Sequence, residues 1–516
     1  MKRRIFSLVL VVLMTAALCG CKGGTDKDGG TIVVGITQDM DSLDPHKAVA
    51  AGTKEVLYNI FEGLVKSDEK GDLVPAVAKS YTISEDGLTY SFELRDNVRF
   101  HNGDKVTAED IVYSLKRCAG MLETTDPEVQ VISAFSVIKE IKADETKVEV
   151  VLDSPNTELI GYFTCAIIPE NYTDQTTAPI GTGPFRFVSY TPQVSVVIEK
   201  NNKYYLDGVP SLDGVTFKIS ASSDAAFLEL LGGSIDVFPY VTDEQSKQLK
   251  DKFDILAAPM NLVQGLFLNN KVKPFDDVRV RQALNMAVNR DEIISMVAGG
   301  RSDVVESAIF SSYKTYYNES LSSFYTYDPD RAKALLEEAG YGDGFSFKIK
   351  VPSNYVFHID TAQVIVEELK KIGVDAQIEL IEWATWLSDV YTGRDFEATV
   401  IGLDAKLAPG DTLKYYPSDS SKNFINFSDP EFDELYKKAV NEVDTDKKAT
   451  AYKRLQEILT EQAASVFIQS PHNVVVVSKR VEGYVFYPVY VQDMSTIRIK
   501  APEADDLLPL TGRDGN

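Results

Sequence analysis

Cysteine is scarce in this sequence: four cysteines occur among 516 residues, too few for a fold held together by disulfides. Cys19 and Cys21 stand near the N-terminus, so only Cys118 and Cys165 belong to the body of the chain. Outside the cell these two could form a disulfide, or they could remain two separate buried thiols. Sequence spacing leaves both possibilities open.

Histidine is equally scarce, and the short motifs of common enzymes are missing. The chain contains no GxSxG, HExxH, Walker A or CxxC motif. We therefore expect no catalytic residues, no metal ligands and no cofactor. The four histidines lie far apart in sequence, at His46, His101, His358 and His472.

Basic residues are outnumbered by acidic ones. The sequence has 53 Lys and Arg against 77 Asp and Glu, a formal net charge of -24. A surface of this sign excludes nucleic acid as an expected partner. Beyond Leu18 no long apolar run occurs, so the body should not span a membrane. The length implies more than one domain.

The N-terminus is typical of an exported lipoprotein. Lys2, Arg3 and Arg4 precede an apolar run from Ile5 to Leu18, which is too short for a committed membrane span. The next residues, Cys19-Gly20-Cys21, resemble a lipobox, which predicts lipidation of Cys21. A Gly-rich tether at residues 22–30 follows. The alternative is an ordinary signal peptide that is cleaved elsewhere.

Residues 76–116 predict a compact α+β unit. Asp86-Gly87 is a hairpin signal, and residues 89–94 alternate apolar with polar side chains as a half-buried strand does. Thr107, with Asp110 three residues later, has the spacing of a capping box at the start of a helix.

This segment, AVAKSYTISEDGLTYSFELRDNVRFHNGDKVTAEDIVYSLK, closely resembles the signature of the bacterial extracellular solute-binding proteins of family 5. That family is the oligopeptide- and dipeptide-binding group served by ABC importers. The stretches IGTGPFRF at 180–187 and NNKYYLDGVPSLDGVTFKI at 201–219 match it as well. The resemblance extends over residues 31–500.

The resemblance implies an α/β (mixed α+β) chain with a two-lobe periplasmic-binding-protein-like fold, an extra subdomain in the first lobe and a ligand cleft between the lobes. It also implies a monomer that closes on its ligand by a hinge motion. The expected divisions are a lipoprotein signal peptide at 1–20, the tether at 21–30, lobe 1 at 31–265 with an inserted subdomain at about 48–180, lobe 2 at 266–478, and a return to lobe 1 with the C-terminal tail at 479–516.

Local patterns place the main elements. Apolar residues recur at helical spacing over residues 48–68 and 278–298, so both stretches are expected to be helices. In the second lobe, strand 345–351, helix 361–372 and strand 374–381 follow one another closely. A right-handed crossover of this kind predicts a parallel pair of strands.

Three stretches are candidates for the ligand site, and the resemblance decides which residues we select. Asp41, Ser42 and Leu43 follow the first strand and match a family stretch whose backbone lies beside the ligand. Trp383 corresponds to a tryptophan that lines a side-chain pocket in the peptide-binding members, whereas Trp386, one helical turn later, is expected to pack in the core.

The third stretch is Gly402, Leu403 and Asp404 followed by Lys406. In the peptide binders, the fourth residue after the glycine is an aspartate that pairs with the α-amino group of the peptide. Lysine stands at that position here and cannot pair with an ammonium ion. The amine anchor is therefore absent or moved, with Asp404 as a candidate. Lys406 suits a carboxylate or a phosphate if it faces the cleft, and it is an ordinary solvated lysine if it does not.

The leading hypothesis is a lipid-anchored extracytoplasmic receptor that captures a short peptide and delivers it to a membrane complex of ABC permease and ATPase. The alternatives are a receptor for a nickel chelate, an oligosaccharide or an opine-like anion, and a surface sensor that has lost transport. The sequence does not decide which ligand is bound.

Overall fold

The computed structural model describes residues 29–500, apart from 124–125, 240, 354, 405–407, 409, 488 and 490. The expected signal peptide, Cys21, most of the tether, Lys406 and the tail beyond Lys500 lie outside the described residues. Within the described part, no helix is both long enough and apolar enough to cross a membrane.

The chain alternates short strands with helices of moderate length. The strands are β1 (Thr31–Ile36), β2 (Val65–Ser67), β3 (Leu73–Pro75), β4 (Ala78–Ile83), β5 (Thr89–Leu94), β6 (Ile138–Ala143), β7 (Lys147–Leu152), β8 (Phe185–Thr191), β9 (Ser195–Lys200), β10 (Gly214–Ile219), β11 (Val237–Phe238), β12 (Phe253–Pro259), β13 (Leu262–Leu268), β14 (Ser302–Val304), β15 (Phe345–Pro352), β16 (Val374–Ile381), β17 (Ala398–Asp404), β18 (Val466–Ser478), β19 (Val481–Glu482) and β20 (Arg498–Ile499). The helices are α1 (Ala51–Leu57), α2 (Ala108–Ala119), α3 (Ser223–Leu231), α4 (Asp243–Leu249), α5 (Val278–Ala287), α6 (Arg290–Val297), α7 (Pro329–Glu338), α8 (Val356–Lys370), α9 (Trp383–Thr385), α10 (Gly410–Leu413), α11 (Pro430–Ala439) and α12 (Thr445–Glu461), with 3₁₀ turns at Ser133–Val137, Leu159–Thr164 and Glu319–Leu321 and a π-helical segment at Trp386–Thr392.

A twelve-stranded mixed sheet runs through the molecule in the order β16-β15-β17-β13-β18-β11-β1-β10-β9-β8, with β12 and β14 paired to β18 outside that path. The long strand β18 joins the two halves of this sheet. Its first part pairs with β13 and β14, and its second part pairs with β11 and β12. The lobe boundaries expected at 265/266 and 478/479 stay predictions.

The first half of the sheet is built on β1, whose sequence TIVVGI is the apolar run expected of a strand covered on both faces. It lies parallel to β10 and β11, while β9 and β8 continue the sheet in antiparallel fashion. Helix α1 buries Val56 and Leu57 in the same core as Ile32 and Val34 of β1.

The expectation that residues 48–68 are helical is wrong beyond Leu57. The chain turns there and enters β2. Gly63 explains the change, because a Cβ at this position would lie 2.4 Å from the carbonyl oxygen of Phe163. The next residue, Leu64, donates its N–H to the same oxygen at 2.9 Å. Close packing against a segment 100 residues away in sequence therefore ends the helical stretch.

A separate antiparallel sheet has the order β4-β5-β7-β6, and α2 packs on it. The inserted subdomain expected at about 48–180 stays a prediction. The predicted hairpin is confirmed: β4 and β5 pair across a turn in which Gly87 has a φ of 68°. The capping box is confirmed as well, since the Thr107 side chain accepts from Asp110 N–H and the Asp110 carboxylate accepts from Thr107 N–H.

The second half of the sheet confirms the predicted parallel pair of β15 and β16, and β17 lies parallel to β15 on its other side. Helices α5, α7 and α8 share one core with these strands. Residues of α11, α12 and the π-helical segment share a second, strongly aromatic core.

The prediction of a single helix over residues 278–298 is wrong, because the chain forms α5 and α6 with a break at Val288. The side chain of Asn289 caps the new helix by accepting from the N–H of Glu292. The backbone N–H of Asn289 donates to the Glu368 carboxylate on α8 at 3.0 Å. This tertiary contact keeps α5 and α6 as two separate helices, although apolar residues continue at helical spacing across the break.

Candidate ligand-binding site

The loop after β1 is held in shape by its own side chains. The Asp41 carboxylate accepts the backbone N–H groups of Val49 and Ala50 at 2.7 and 2.9 Å, just before α1. Partial burial raises the pKa of Asp41, but these hydrogen bonds and one from the side chain of Thr53 outweigh it and hold the pKa below its usual value. Asp41 is therefore ionised at neutral pH and orders the loop.

The next two residues of this loop also make local contacts. The Ser42 hydroxyl accepts the N–H of Asp44 at 3.0 Å, and Leu43 is buried. These contacts lie in the first half of the molecule, whereas Trp383 belongs to a core of the second half. The roles of Asp41, Ser42 and Leu43 toward a ligand stay predictions.

Trp383 belongs to a continuous set of stacked rings in the second half. The Trp383 ring lies parallel to that of Trp386, at 4° and 5.0 Å between centroids, and the ring of Tyr355 meets the Trp383 ring edge-on at 5.5 Å. Tyr391 and Phe424 extend the set beyond Trp386. We call the five residues Tyr355, Trp383, Trp386, Tyr391 and Phe424 the aromatic wall.

Burial separates the two tryptophans. Trp386 is 3% exposed and donates its indole N–H to the Thr399 hydroxyl at 3.0 Å, so it packs in the core. Trp383 is only partly buried, and its neighbour Leu387 on the following turn is exposed. The ring of Trp383 is thus fixed from behind by Trp386 while part of it faces outward. Its contact with a ligand stays a prediction.

Strand β17 carries the third predicted stretch beside β13, where Gly402 pairs with Gln264 and Asp404 with Leu262. Leu403 packs against the same aromatic core as Trp383, so the structure brings these two predicted residues together. Asp404 is exposed at the end of the strand. A Cβ on Gly402 would lie 2.7 Å from the side chain of Leu262, so a larger residue there would have to displace that side chain.

A buried polar network behind the aromatic wall was not predicted. The Gln264 side chain, which is fully buried, hydrogen-bonds to His358 Nδ1 at 2.8 Å and accepts from the Gln469 amide at 2.7 Å. Burial lowers the pKa of His358 to about 4, so its imidazole is neutral at physiological pH. The His358 ring lies 5.5 Å from that of Tyr355. A signal existed in the sequence: one glutamine interrupts each of the apolar strands LVQGLFL and VFIQS.

A small crevice of about 30 Å³ lies beside the connection from β12 to β13, where the chain passes between the halves of the sheet. The sequence prediction missed it, although the aromatic run GYVFYPVYVQ at 483–492 is an evident signal. The Tyr487 hydroxyl at this crevice donates to the Asp493 carboxylate at 2.6 Å. The lining residues are Pro259, Met260, Asn261, Asn473, Tyr484, Phe486, Tyr487, Val489, Val491 and Gln492.

The arrangement offers rings, a neutral imidazole and buried amides, which are groups that bind a ligand by contact and hydrogen bonding. Among the described residues, no group of three His, Cys, Asp or Glu side chains is placed to hold a metal ion.

Comparison with known proteins gives a consistent result. The model of the bacterial extracellular solute-binding proteins, family 5 (middle region), matches residues 72–424. The glutathione-binding protein GsiB of Pectobacterium atrosepticum is 28% identical over 503 residues, which is 92% of this chain and 95% of that protein. The oligopeptide-binding protein AppA of Bacillus subtilis is 27% identical over 535 residues, which is 95% of this chain and 97% of that protein.

Among solved structures, HbpA2 from Haemophilus parasuis superposes with a TM-score of 0.84 at 26% identity, covering 92% of this chain and 100% of that one. The expected two-lobe α/β fold is thereby confirmed.

Proposed function

The chain belongs to the bacterial extracellular solute-binding proteins of family 5, and from this premise we propose that it captures a short peptide between its lobes and delivers it to an ABC permease. Members of this family bind solutes and work with membrane permease components. The names of the two relatives, one glutathione-binding and the other oligopeptide-binding, favour a peptide over other solutes.

The aromatic wall is the observation that carries this proposal. Trp383 presents a partly exposed ring that Trp386 holds at a fixed angle, so its surface loses little freedom when a ligand covers it. Such a face suits an apolar or aromatic side chain. The neutral His358, buried behind the wall in ring contact with Tyr355, adds no charge that a ligand at the wall would have to desolvate.

The ligand's amine is the point at which this chain departs from the peptide binders. Lys406 occupies the position of their amine-binding aspartate, and a buried ammonium facing another would cost several kcal/mol. Asp404, exposed at the end of β17, is the carboxylate we assign to a free amine, if the ligand has one. Peptides whose amine is blocked should otherwise be preferred.

The protein would work outside the cytoplasm on a lipid anchor at Cys21, with residues 22–30 as a tether. It would act as a monomer, closing residues 31–265 and 266–478 on the ligand by a hinge motion. A permease and its ATPase in the same membrane would receive the ligand.

The experiment is native mass spectrometry of the chain from Lys22 onward, incubated with a pool of short peptides and, separately, with a nickel–histidine chelate, oligosaccharides and opines. We expect the unchanged protein to bind one peptide per chain. Trp383→Ala should lose this binding, whereas Leu387→Ala, a control at an exposed neighbouring side chain, should keep it. Retention of a non-peptide solute with no bound peptide would overturn the proposal.

A further inference from the structure

The two cysteines of the body meet beside a histidine in the first half of the molecule. Helix α2 is fixed to the extended segment at 165–168 by Ser114, whose hydroxyl accepts the N–H of Ile168 at 3.0 Å while it donates to the Asp110 carbonyl of its own helix at 2.7 Å. Cys118 lies one helical turn beyond Ser114 on the same face. It is therefore directed at the part of the segment that precedes Ile168.

His46 reaches the same place from the loop before α1. Its Nε2 lies 2.8 Å from the carbonyl oxygen of Ala166. Because a carbonyl only accepts, Nε2 carries the proton and Nδ1 of the neutral ring is an acceptor. Nδ1 is buried without a hydrogen-bond partner in the described part of the chain. Burial by itself lowers the pKa of His46, but the neighbouring Cys118 outweighs burial and raises that pKa.

Cys165 completes the cluster. Cys165 packs against the apolar cluster that buries Cys118 and neighbours it there, and both cysteines are free. The neighbouring Cys165 and burial together hold the pKa of the Cys118 thiol well above its usual value, so Cys118 stays protonated until a base takes its proton. Cys118 is 2% exposed, whereas Cys165 is partly exposed. Cys165 is thus the more accessible of the two cysteines.

We propose that Cys165, Cys118 and His46 form a dithiol site that exchanges with low-molecular-weight disulfides outside the cell. The Cys165 thiolate attacks a disulfide RSSR, forming a mixed disulfide and releasing one RS⁻, which takes up the proton that Cys165 lost. His46 Nδ1 then accepts the proton of Cys118, whose thiolate attacks the Cys165 sulfur. The second RS⁻ leaves and takes the proton from His46, so that two thiols and RSSR become one protein disulfide and two RSH.

The location gives this exchange a consequence for the molecule. Cys165 directly follows the 3₁₀ turn at Leu159–Thr164, whose Tyr162 hydroxyl faces Asp411 in the second half at 3.4 Å. Glu158, just before the turn, forms an ion pair with Lys448 on α12. A disulfide would tie this contact segment covalently to α2 and restrict its movement.

The test uses the chain from Lys22 onward, which contains only these two cysteines, equilibrated with mixtures of glutathione and glutathione disulfide and then alkylated for mass spectrometry. We expect a monomer with an intramolecular disulfide as the disulfide fraction rises. Cys118→Ser should instead accumulate a stable mixed disulfide on Cys165, and Cys165→Ser should react slowly because its remaining thiol is buried.

The role of the histidine has a separate readout. His46→Gln should slow closure of the mixed disulfide at least tenfold, whereas His101→Gln, a change at a half-buried histidine that also hydrogen-bonds a carbonyl, should not. Two alkylatable thiols at every glutathione ratio, or disulfides only between chains, would overturn the dithiol site. Equal closure rates in the two histidine variants would overturn the role of His46.

Discussion

A buried ion pair connects the two halves of the molecule, and we predict that Lys448→Met opens this contact. The Lys448 ammonium pairs with the Glu158 carboxylate, and the two side chains are 9% and 11% exposed. Lys448 also donates to the Thr157 hydroxyl at 2.9 Å. Glu158 accepts from the Tyr452 hydroxyl at 2.9 Å and from Gly410 N–H at 3.2 Å.

The size of the effect follows from the Glu158 charge, which the substitution leaves without its partner. Removing one partner of a buried ion pair costs about 3–5 kcal/mol, because the other charge stays out of water. Glu158 keeps two hydrogen-bond donors, so we take the lower end, about 3 kcal/mol. Since the pair lies between two bodies, separation readmits water without unfolding either of them. Because each step of about 1.4 kcal/mol changes an equilibrium constant tenfold, a cost of about 3 kcal/mol should make the contact open about 150-fold more often.

Hydrogen exchange of the segment at 157–164 measures this opening directly. The Thr157 N–H donates to the carbonyl of Val440 in the other half at 3.3 Å, so its protection reports on the contact. We expect exchange about 150-fold faster in Lys448→Met, with protection largely restored when Glu158→Gln is added. Lys447→Met, at an exposed position next to it, should change nothing. Unchanged exchange in Lys448→Met would refute the reasoning.

Three further predictions concern single positions. Burial raises the pKa of Glu368 from 4.5 to about 7, so the folded chain holds a proton that the unfolded chain lacks between these values, and stability falls as pH rises through this window. In denaturant unfolding, Glu368→Gln should be more stable than the unchanged protein by about 2 kcal/mol at pH 8 and equally stable at pH 4. The control Glu367→Gln, at an exposed position, should match the unchanged protein at both pH values. A gain in stability of Glu368→Gln at pH 4 would contradict this prediction. Cys21→Ala should release the protein from washed membranes and Cys19→Ala should not, and retention of Cys21→Ala would show the lipobox interpretation to be wrong. Lys406→Asp should shift calorimetric preference from N-acetylated toward free-amine peptides, and an unchanged preference would place Lys406 outside the site.

Short-range features were predictable from the sequence because their causes are local. The Asp86-Gly87 hairpin and the Thr107 capping box depend on residues within a few positions of each other. The parallel pair of β15 and β16 followed from the handedness of a short crossover. In each case the contacting residues are close together in the sequence, so the local sequence is enough to predict the contact.

The missed features depend on partners that are distant in sequence. The break at Val288 is held by Glu368, and the end of helix α1 follows from the close approach of Gly63 to Phe163. The His358 network exists because Gln264 lies at an irregularity in the pairing of β13 with β18. In the site, Trp383 and Leu403 were selected by resemblance, and their shared core is a tertiary fact that no local pattern encodes.

Intrinsic fluorescence tests the central claim most directly, because the chain has only two tryptophans and both belong to the aromatic wall. Titration of the chain from Lys22 onward with a peptide retained in native mass spectrometry should change the emission saturably, at one peptide per chain. Trp383→Phe should remove most of that change. Saturable peptide binding confirmed by calorimetry, with the emission of the unchanged protein unaltered throughout, would contradict capture of the peptide at Trp383.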